Sequence, residues 1–466
     1  MDIFEEARRE LYFPPIRLRL VDGDRIRLNF AGKRRKPEIE AGRGIFLRYS
    51  RGALKGLFQL SLARWIKHPY SLKVAMLEEF WLREFEKRRR IRELFDTIVC
   101  TLYLVRRGCY SVVSAVSCMS SDKADRAVKL YLSRKTGLDF GALVGEAEEV
   151  ERAATEMEKI PFEVCTNLSV LRNNLLRFAE IVNELIEGAE EETLEFSISG
   201  AELVLGELAG EVGVKEFREV SDYFGCGRGK GDEREADVRW YMKRSSRYSV
   251  RLESRISGGN YPGRLVDFSP DEGMDYYSPV ESMGKVIPGI AKMHKLEGFE
   301  GSGSERRNAV IVLDSSGSMK SPENGSEAII GAFAIARKYL DTGGKVGVIN
   351  FSWKTEFLEP CRGEDVFRAL VRYQGGGTEI DTEAVVEYVR RYAKGYDIVM
   401  ITDAGIENLS EVEEMLEKLK EMGCKSYVIW LTSRAFEERG KRLSKHAIVY
   451  EVEREEDIPG IVLGIV

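Results

Sequence analysis

The 466 residues are 43% apolar and 32% charged, which excludes a disordered chain and is too much sequence for one hydrophobic core; two or three domains are expected. The net charge of -6 is unevenly spread, because residues 1–140 carry 30 Lys and Arg against 17 Asp and Glu, +13, and residues 141–466 carry -19. Seven scattered cysteines without a CxxC pair exclude a zinc ribbon or disulfide framework and fit free thiols in a reducing compartment.

Along the chain, MDIFEEARRELYF is amphipathic and acidic and lacks the features of a secretory signal, and no apolar stretch has the length of a membrane span, so a cytoplasmic protein without membrane contact is expected. Only Gln59 and Gln374 represent glutamine among abundant Glu, Lys and Arg, which suggests a thermophilic source. Residues 1–60 carry RLRLVDGDRIRLNF (17–30), whose alternation about Asp22-Gly23 predicts a β-hairpin, followed by KRRK (33–36). Residues 61–211 read as a helical domain: SLKVAMLEEFWLREFEKRRRIRELFDTIVCTLYLV repeats apolar residues at three- and four-residue spacing, and His68-Pro69 reads as the turn before this long helix. Its KRRRIR run (87–92) is either a solvated helix face or a stripe for RNA or phosphate.

Residues 212–306 lose periodicity and read as an irregular connecting region ending in a linker, GFEGSGSERR (298–307). GCGRGKG within it is no phosphate loop, because its glycines are too close and Gly231 stands where Ser or Thr should be. No nucleotide hydrolysis is expected. From residue 307 to 466, apolar runs AVIVL, KVGVINF, DIVMI and SYVIWL alternate with amphipathic segments, predicting an α/β domain with a doubly wound parallel sheet. Ligands of such a sheet gather beyond the carboxyl ends of its strands.

IVLDSSGSMK (311–320) lies at one such end. Alternation sends Asp314, Ser316 and Ser318 to one side and Ser315 and Gly317 away. YQGGGTEID (373–381) offers Thr378, and VMITDAGIE (399–407) offers Asp403 directly after a buried strand. One such residue alone is usually a helix cap. Oxygen ligands of low total charge on three loops of one sheet instead suit a hard divalent cation, Mg2+ or Mn2+. A serine hydrolase needs a nucleophile elbow or a nearby base, and GSM is no elbow while the histidines are only His68, His294 and His446. A metallopeptidase needs paired histidines, and His68 stands alone before a proline.

DSSGS followed by GGGT and ITD resembles the von Willebrand factor A (VWA) domain with its metal-ion-dependent adhesion site (MIDAS), over about residues 307–466. The resemblance implies that Ser316 and Ser318 hold the metal through their hydroxyls, that Thr378 does so directly or through water, and that Asp314 and Asp403 hold coordinated waters and balance charge. Glu379 and Ala404 depart from the family's usual Asp and Gly. It further implies a non-catalytic adaptor, whose metal is completed by an Asp or Glu of a protein partner. Intracellular prokaryotic proteins that join a helical region to such a domain resemble the partners of MoxR-type AAA+ ATPases, and YSPVESMGKVIPGIAKM (277–293) is similar to a segment of that group. A likeness to the Ro ribonucleoproteins, supported by the basic front, keeps RNA as an alternative partner.

Overall fold

The computed structural model describes residues 2–29, 38–119, 122–142, 145–163, 167–187, 194–196, 206, 208–225, 235–256, 261–267, 277–278, 292–297, 307–431, 437–454 and 457. The basic KRRK run, the glycine-rich GCGRGKG stretch after Gly225, most of 277–293 and the linker at 298–306 lie outside them. The chain divides into two units, residues 1–204 with 261–297 and residues 205–260 with 298–466.

In the first unit β1 (Arg17–Val21), β2 (Ile26–Asn29), β3 (Glu38–Gly42) and β4 (Leu194–Phe196) form one sheet in the order β1-β3-β2-β4. The expected hairpin is corrected: β3 inserts between the two strands, parallel to β1 and antiparallel to β2. Charge gives the reason. A hairpin would lay two arginine-rich strands side by side, whereas β3 sets Glu40 opposite both Arg19 and Arg27, and Glu38 opposite Arg17. A second sheet, β5 (Tyr261–Asp267), β6 (Tyr277–Ser278) and β7 (Lys292–Glu297), is antiparallel in the order β5-β7-β6.

The rest of this unit is helical. Arg51–Ile66 is buried over most of its length, and its N-terminus is capped by Ser50. The long helix expected after His68-Pro69 is two helices, Leu72–Trp81 and Arg88–Arg106. The break at 82–87 lets Arg88 and Arg92 both reach back to Glu79, at 2.7 and 3.0 Å. Phe178 meets Phe95 and Phe162 edge-on, and those two rings are tilted on each other, at 5.5–5.8 Å between ring centres in the core between helices.

The second unit begins with a further correction. The region read as irregular contains helices Val214–Tyr223 and Glu235–Ile256. Tyr241, on the latter, donates from its hydroxyl to the Pro322 carbonyl (2.7 Å) and accepts from the Ser326 amide (2.9 Å), and Arg337 donates to the Met242 carbonyl. The first of these helices buries a short apolar stripe, Val214, Phe217 and Val220, and the second buries Ala236, Val238, Trp240 and Tyr241 near its start; both stripes are short and lie among glycine- and charge-rich sequence.

β8 (Ala309–Asp314), β9 (Val346–Phe351), β10 (Thr355–Cys361), β11 (Asp397–Thr402), β12 (Lys425–Leu431) and β13 (Ile448–Val452) form a mixed six-stranded sheet in the order β10-β9-β8-β11-β12-β13. Every pairing is parallel except that of β10 with β9. β8 and β9 are buried along their whole length, as unbroken apolar runs require. The order of strands reverses between β8 and β11, the point at which open parallel sheets leave a crevice beyond the strand ends.

Candidate functional site

Both strands at that reversal end in candidate residues, Asp314 closing β8 and Asp403 following β11. Asp314 is 2% exposed, and its side chain is held at both oxygens: Oδ1 accepts from the Ser316 amide at 2.9 Å, and Oδ2 accepts from the Thr402 hydroxyl at 2.6 Å. Burial pushes its pKa above the usual carboxylate value, and the bonds from Thr402 and Ser316 offset part of that rise. The Oγ atoms of Ser316 and Ser318 stand 3.1 Å apart, while Ser315 turns away and donates to the Phe351 carbonyl. Ser316 is buried and Ser318 exposed, so the pair leads from the interior to the surface.

Backbone bonds tie the three loops together. The Gly317 amide donates to the Gly376 carbonyl at 3.0 Å and the Gly375 amide to the Ser315 carbonyl at 2.9 Å. Tyr373 donates from its hydroxyl toward the carbonyls of Ser316 and Met319, at 3.0 and 3.1 Å. Thr378 is buried beside them, and its carbonyl accepts from the Glu407 amide at 2.8 Å, which joins this loop to the one carrying Asp403. Gly376 has φ +98, and a Cβ there would stand 3.3 Å from Trp353 Cδ1; the turn requires glycine.

Asp403 is half-buried, and its Oδ1 accepts from the Gly405 amide at 2.9 Å. The two departures from the family pattern differ in effect. Glu379 is exposed, with its amide bonded to the Ser352 carbonyl, whereas Ala404 adopts φ +63, where glycine would be unstrained. None of the five candidate residues caps a helix among the described residues; that role falls to Ser326 and Asp381. The chemistry of the donor set fits Mg2+ or Mn2+: oxygen only, two hydroxyls paired at 3.1 Å, and one buried carboxylate that feels the charge of Asp403.

Sequence reading missed Thr402, Tyr373 and Ser352. Thr402 fixes Asp314, and Ser352 donates to the carbonyls of Gly375 and Gly377, at 2.6 and 2.8 Å. Their signal was weak: Thr402 and Ser352 are hydroxyls at or beside a strand end, and Tyr373 follows helix Asp365–Leu370. The sequence also treated His68 as a turn residue. It is fully buried with Glu78 and Asp96, and that group could hold a metal ion. Most of the KRRRIR run is engaged within the unit: Arg88 and Arg92 pair with Glu79, Arg90 with Glu93 and Asp125, and Lys87 donates to the Asn183 carbonyl, while Arg89 is exposed. His446 faces Glu417 at 3.2 Å. No helix among the described residues is long and apolar enough to cross a membrane.

No family model matches the chain, and no curated protein matches it. Solved structures that match include proximal thread matrix protein 1 from the mussel byssus, at 16% identity and a TM-score of 0.28, over 34% of this chain and 46% of that one. The chain thus spans less than half of that protein's length, and so weak a superposition carries no argument.

Proposed function

We propose that the second unit is a doubly wound VWA-type domain with a MIDAS-like site for Mg2+ or Mn2+, and that the protein is a non-enzymatic, metal-dependent adaptor for another protein. The hydroxyls of Ser316, Ser318 and Thr378 would hold the cation, with Asp314 and Asp403 balancing its charge. When bound, the cation supplies an electrophilic position for an Asp or Glu carboxylate of the partner.

The observation that carries this reading is the convergence, tied by backbone bonds, of the loops ending β8 and β11 with a third loop that the sequence placed at a strand end but that instead joins helices Asp365–Leu370 and Thr382–Tyr392. A groove of about 1180 Å³ lies on the same unit, lined by Trp353, Lys354, Glu379, Asp381 and Glu411 among others. Trp353, 69% exposed beside Gly376, is the kind of aromatic anchor that dominates binding energy at protein interfaces. The partner class this favours is a MoxR-type AAA+ ATPase or its client, reached in the cytoplasm. Engagement of the KRRRIR arginines with carboxylates weakens the alternative of RNA as ligand.

The test is capture from lysate of the source organism with wild type in Mg2+, wild type in chelator, and Asp314→Ala. A protein partner lost in both controls supports the adaptor. Capture of every partner in all three refutes it.

A further inference from the structure

A second polar cluster lies inside the first unit and includes none of the five candidate residues above. His68 follows helix Arg51–Ile66, Glu78 lies in Leu72–Trp81 and Asp96 in Arg88–Arg106. The three side chains are 0%, 0% and 1% exposed. Burying two carboxylates and an imidazole without partners costs several kcal/mol on the order-of-magnitude scale of charge burial. Yet neither nitrogen of His68, neither oxygen of Glu78 and not Oδ1 of Asp96 has a hydrogen-bond partner among the described residues.

Distances make the arrangement specific. His68 Nε2 stands 2.6 Å from Glu78 Oε1 and 3.4 Å from Asp96 Oδ1, and one donor atom from each of the three side chains lies within 4.8 Å of the others. At 2.6 Å the His68–Glu78 contact still lacks hydrogen-bond geometry, so the two atoms are not aligned as donor and acceptor. Tetrahedral ligands with bonds of about 2.1 Å stand about 3.4 Å apart and point at the ion, not at each other; the His68–Asp96 pair already has that separation, and the His68–Glu78 pair would open by less than about 1 Å.

Charge leads to the same place. Arg64 approaches Asp96 Oδ2 only at 3.9 Å, and Arg92, which also acts on Asp96, is hydrogen-bonded to Glu79, so neither guanidinium is devoted to the two carboxylates of the cluster. A proton on His68 would offset the second charge but would leave Glu78 Oε2 and the ring's Nδ1 without partners in the dry core.

We propose that His68, Glu78 and Asp96 form a buried centre for a first-row divalent metal, of which Zn2+ is the test case, pinning three helices of the first unit together. One imidazole with two carboxylates suits Zn2+ or Fe2+ and disfavours Mg2+. Because the ligands are sealed from solvent, the ion loads during folding and resists brief chelation. The candidate site at Asp314, whose Ser318 reaches the surface, exchanges its ion readily, and that difference separates the two centres.

The experiment is elemental analysis of the full chain, expressed in medium supplemented with Zn2+ or Co2+ and washed briefly in chelator, for wild type, Ser316→Ala, His68→Gln and the double variant Glu78→Gln with Asp96→Asn. Stoichiometric Zn2+ retained by wild type and Ser316→Ala is the expected result, with visible absorption bands of bound Co2+. The His68 and double variants should lose at least about 100-fold in metal affinity. If the variants do not fold, an anomalous-scattering peak among the three side chains of the wild type supports the proposal. Wild type free of retained metal and of such a peak overturns it, as does retention by a folded double variant; the cluster is then a proton-linked ion network.

Discussion

Replacing Thr402 with Val tests whether the carboxylate of Asp314 is held for a purpose. The two side chains are nearly isosteric, so the change opens no cavity and keeps the β-branched shape that suits β11. It removes a 2.6 Å bond to a buried carboxylate and leaves the Ala404 amide without its acceptor, now Thr402 Oγ1 at 3.1 Å. A hydrogen bond to a charged group contributes about 1.5–3 kcal/mol, and an orphaned buried amide costs about 1 kcal/mol more, so a loss of about 2–4 kcal/mol follows. For a unit of this size each kcal/mol moves Tm by about 2–4 °C, giving a fall of about 5–15 °C in differential scanning calorimetry. The weakened carboxylate also competes less well for a cation against its proton, so Mg2+ affinity measured by calorimetric titration should drop about tenfold or more. Ser315→Ala is the control: it removes a neutral bond to the Phe351 carbonyl, which keeps the Ser315 amide at 2.9 Å, and should cost about 1 kcal/mol or less. Equal effects of the two substitutions, or a Thr402→Val protein with unchanged Tm and Mg2+ affinity, would refute the reasoning.

Asp314→Asn should preserve or raise stability in chelator at pH 7 while abolishing stabilisation by Mg2+. The folded pKa of Asp314 lies above its unfolded value near 3.8, so the folded chain binds the extra proton and stability falls as pH rises from that value through the raised pKa. The Asn variant should lack that slope in denaturant midpoints taken from pH 4 to 8; an unchanged slope counts against the assignment. Ala404→Gly should relieve a left-handed backbone and stabilise the protein by about 1 kcal/mol, read as a rise in denaturation midpoint. Gly376→Ala should do the reverse by about 1–3 kcal/mol, through both φ +98 and the approach to Trp353, and should weaken partner capture with it.

What the sequence revealed depended on how local the signal was. β8, β9, β11 and β12 are short apolar runs bounded by turn residues, and the positions of Asp314, Ser316 and Ser318 on one side follow from strand alternation, which the 3.1 Å approach of the two hydroxyls matches. The first sheet was misread because pairing is a choice among partners: the Asp-Gly turn favoured a hairpin, and complementary charges on β3 outweighed it. Helix Val214–Tyr223 escaped notice because its apolar stripe is only Val214, Phe217 and Val220 amid charged residues, and Glu235–Ile256 because its buried residues, Tyr241 among them, cluster near its start. The His68 cluster was invisible for another reason. Its members are separated by 10 and 18 residues, one in the turn after a helix and two on different helices, and no spacing rule joins them; the available hint was an acid inside each of two apolar runs, AMLEEFW and LFDTIVC.

The central claim is a divalent cation held at the ends of β8 and β11. Anomalous diffraction at the manganese edge, from wild-type crystals grown in Mn2+, tests it most directly. The account predicts a peak within bonding distance of Ser316 Oγ and Ser318 Oγ that disappears in Ser316→Ala. Ordered loops with no peak there, at Mn2+ concentrations that saturate binding in solution, would contradict it.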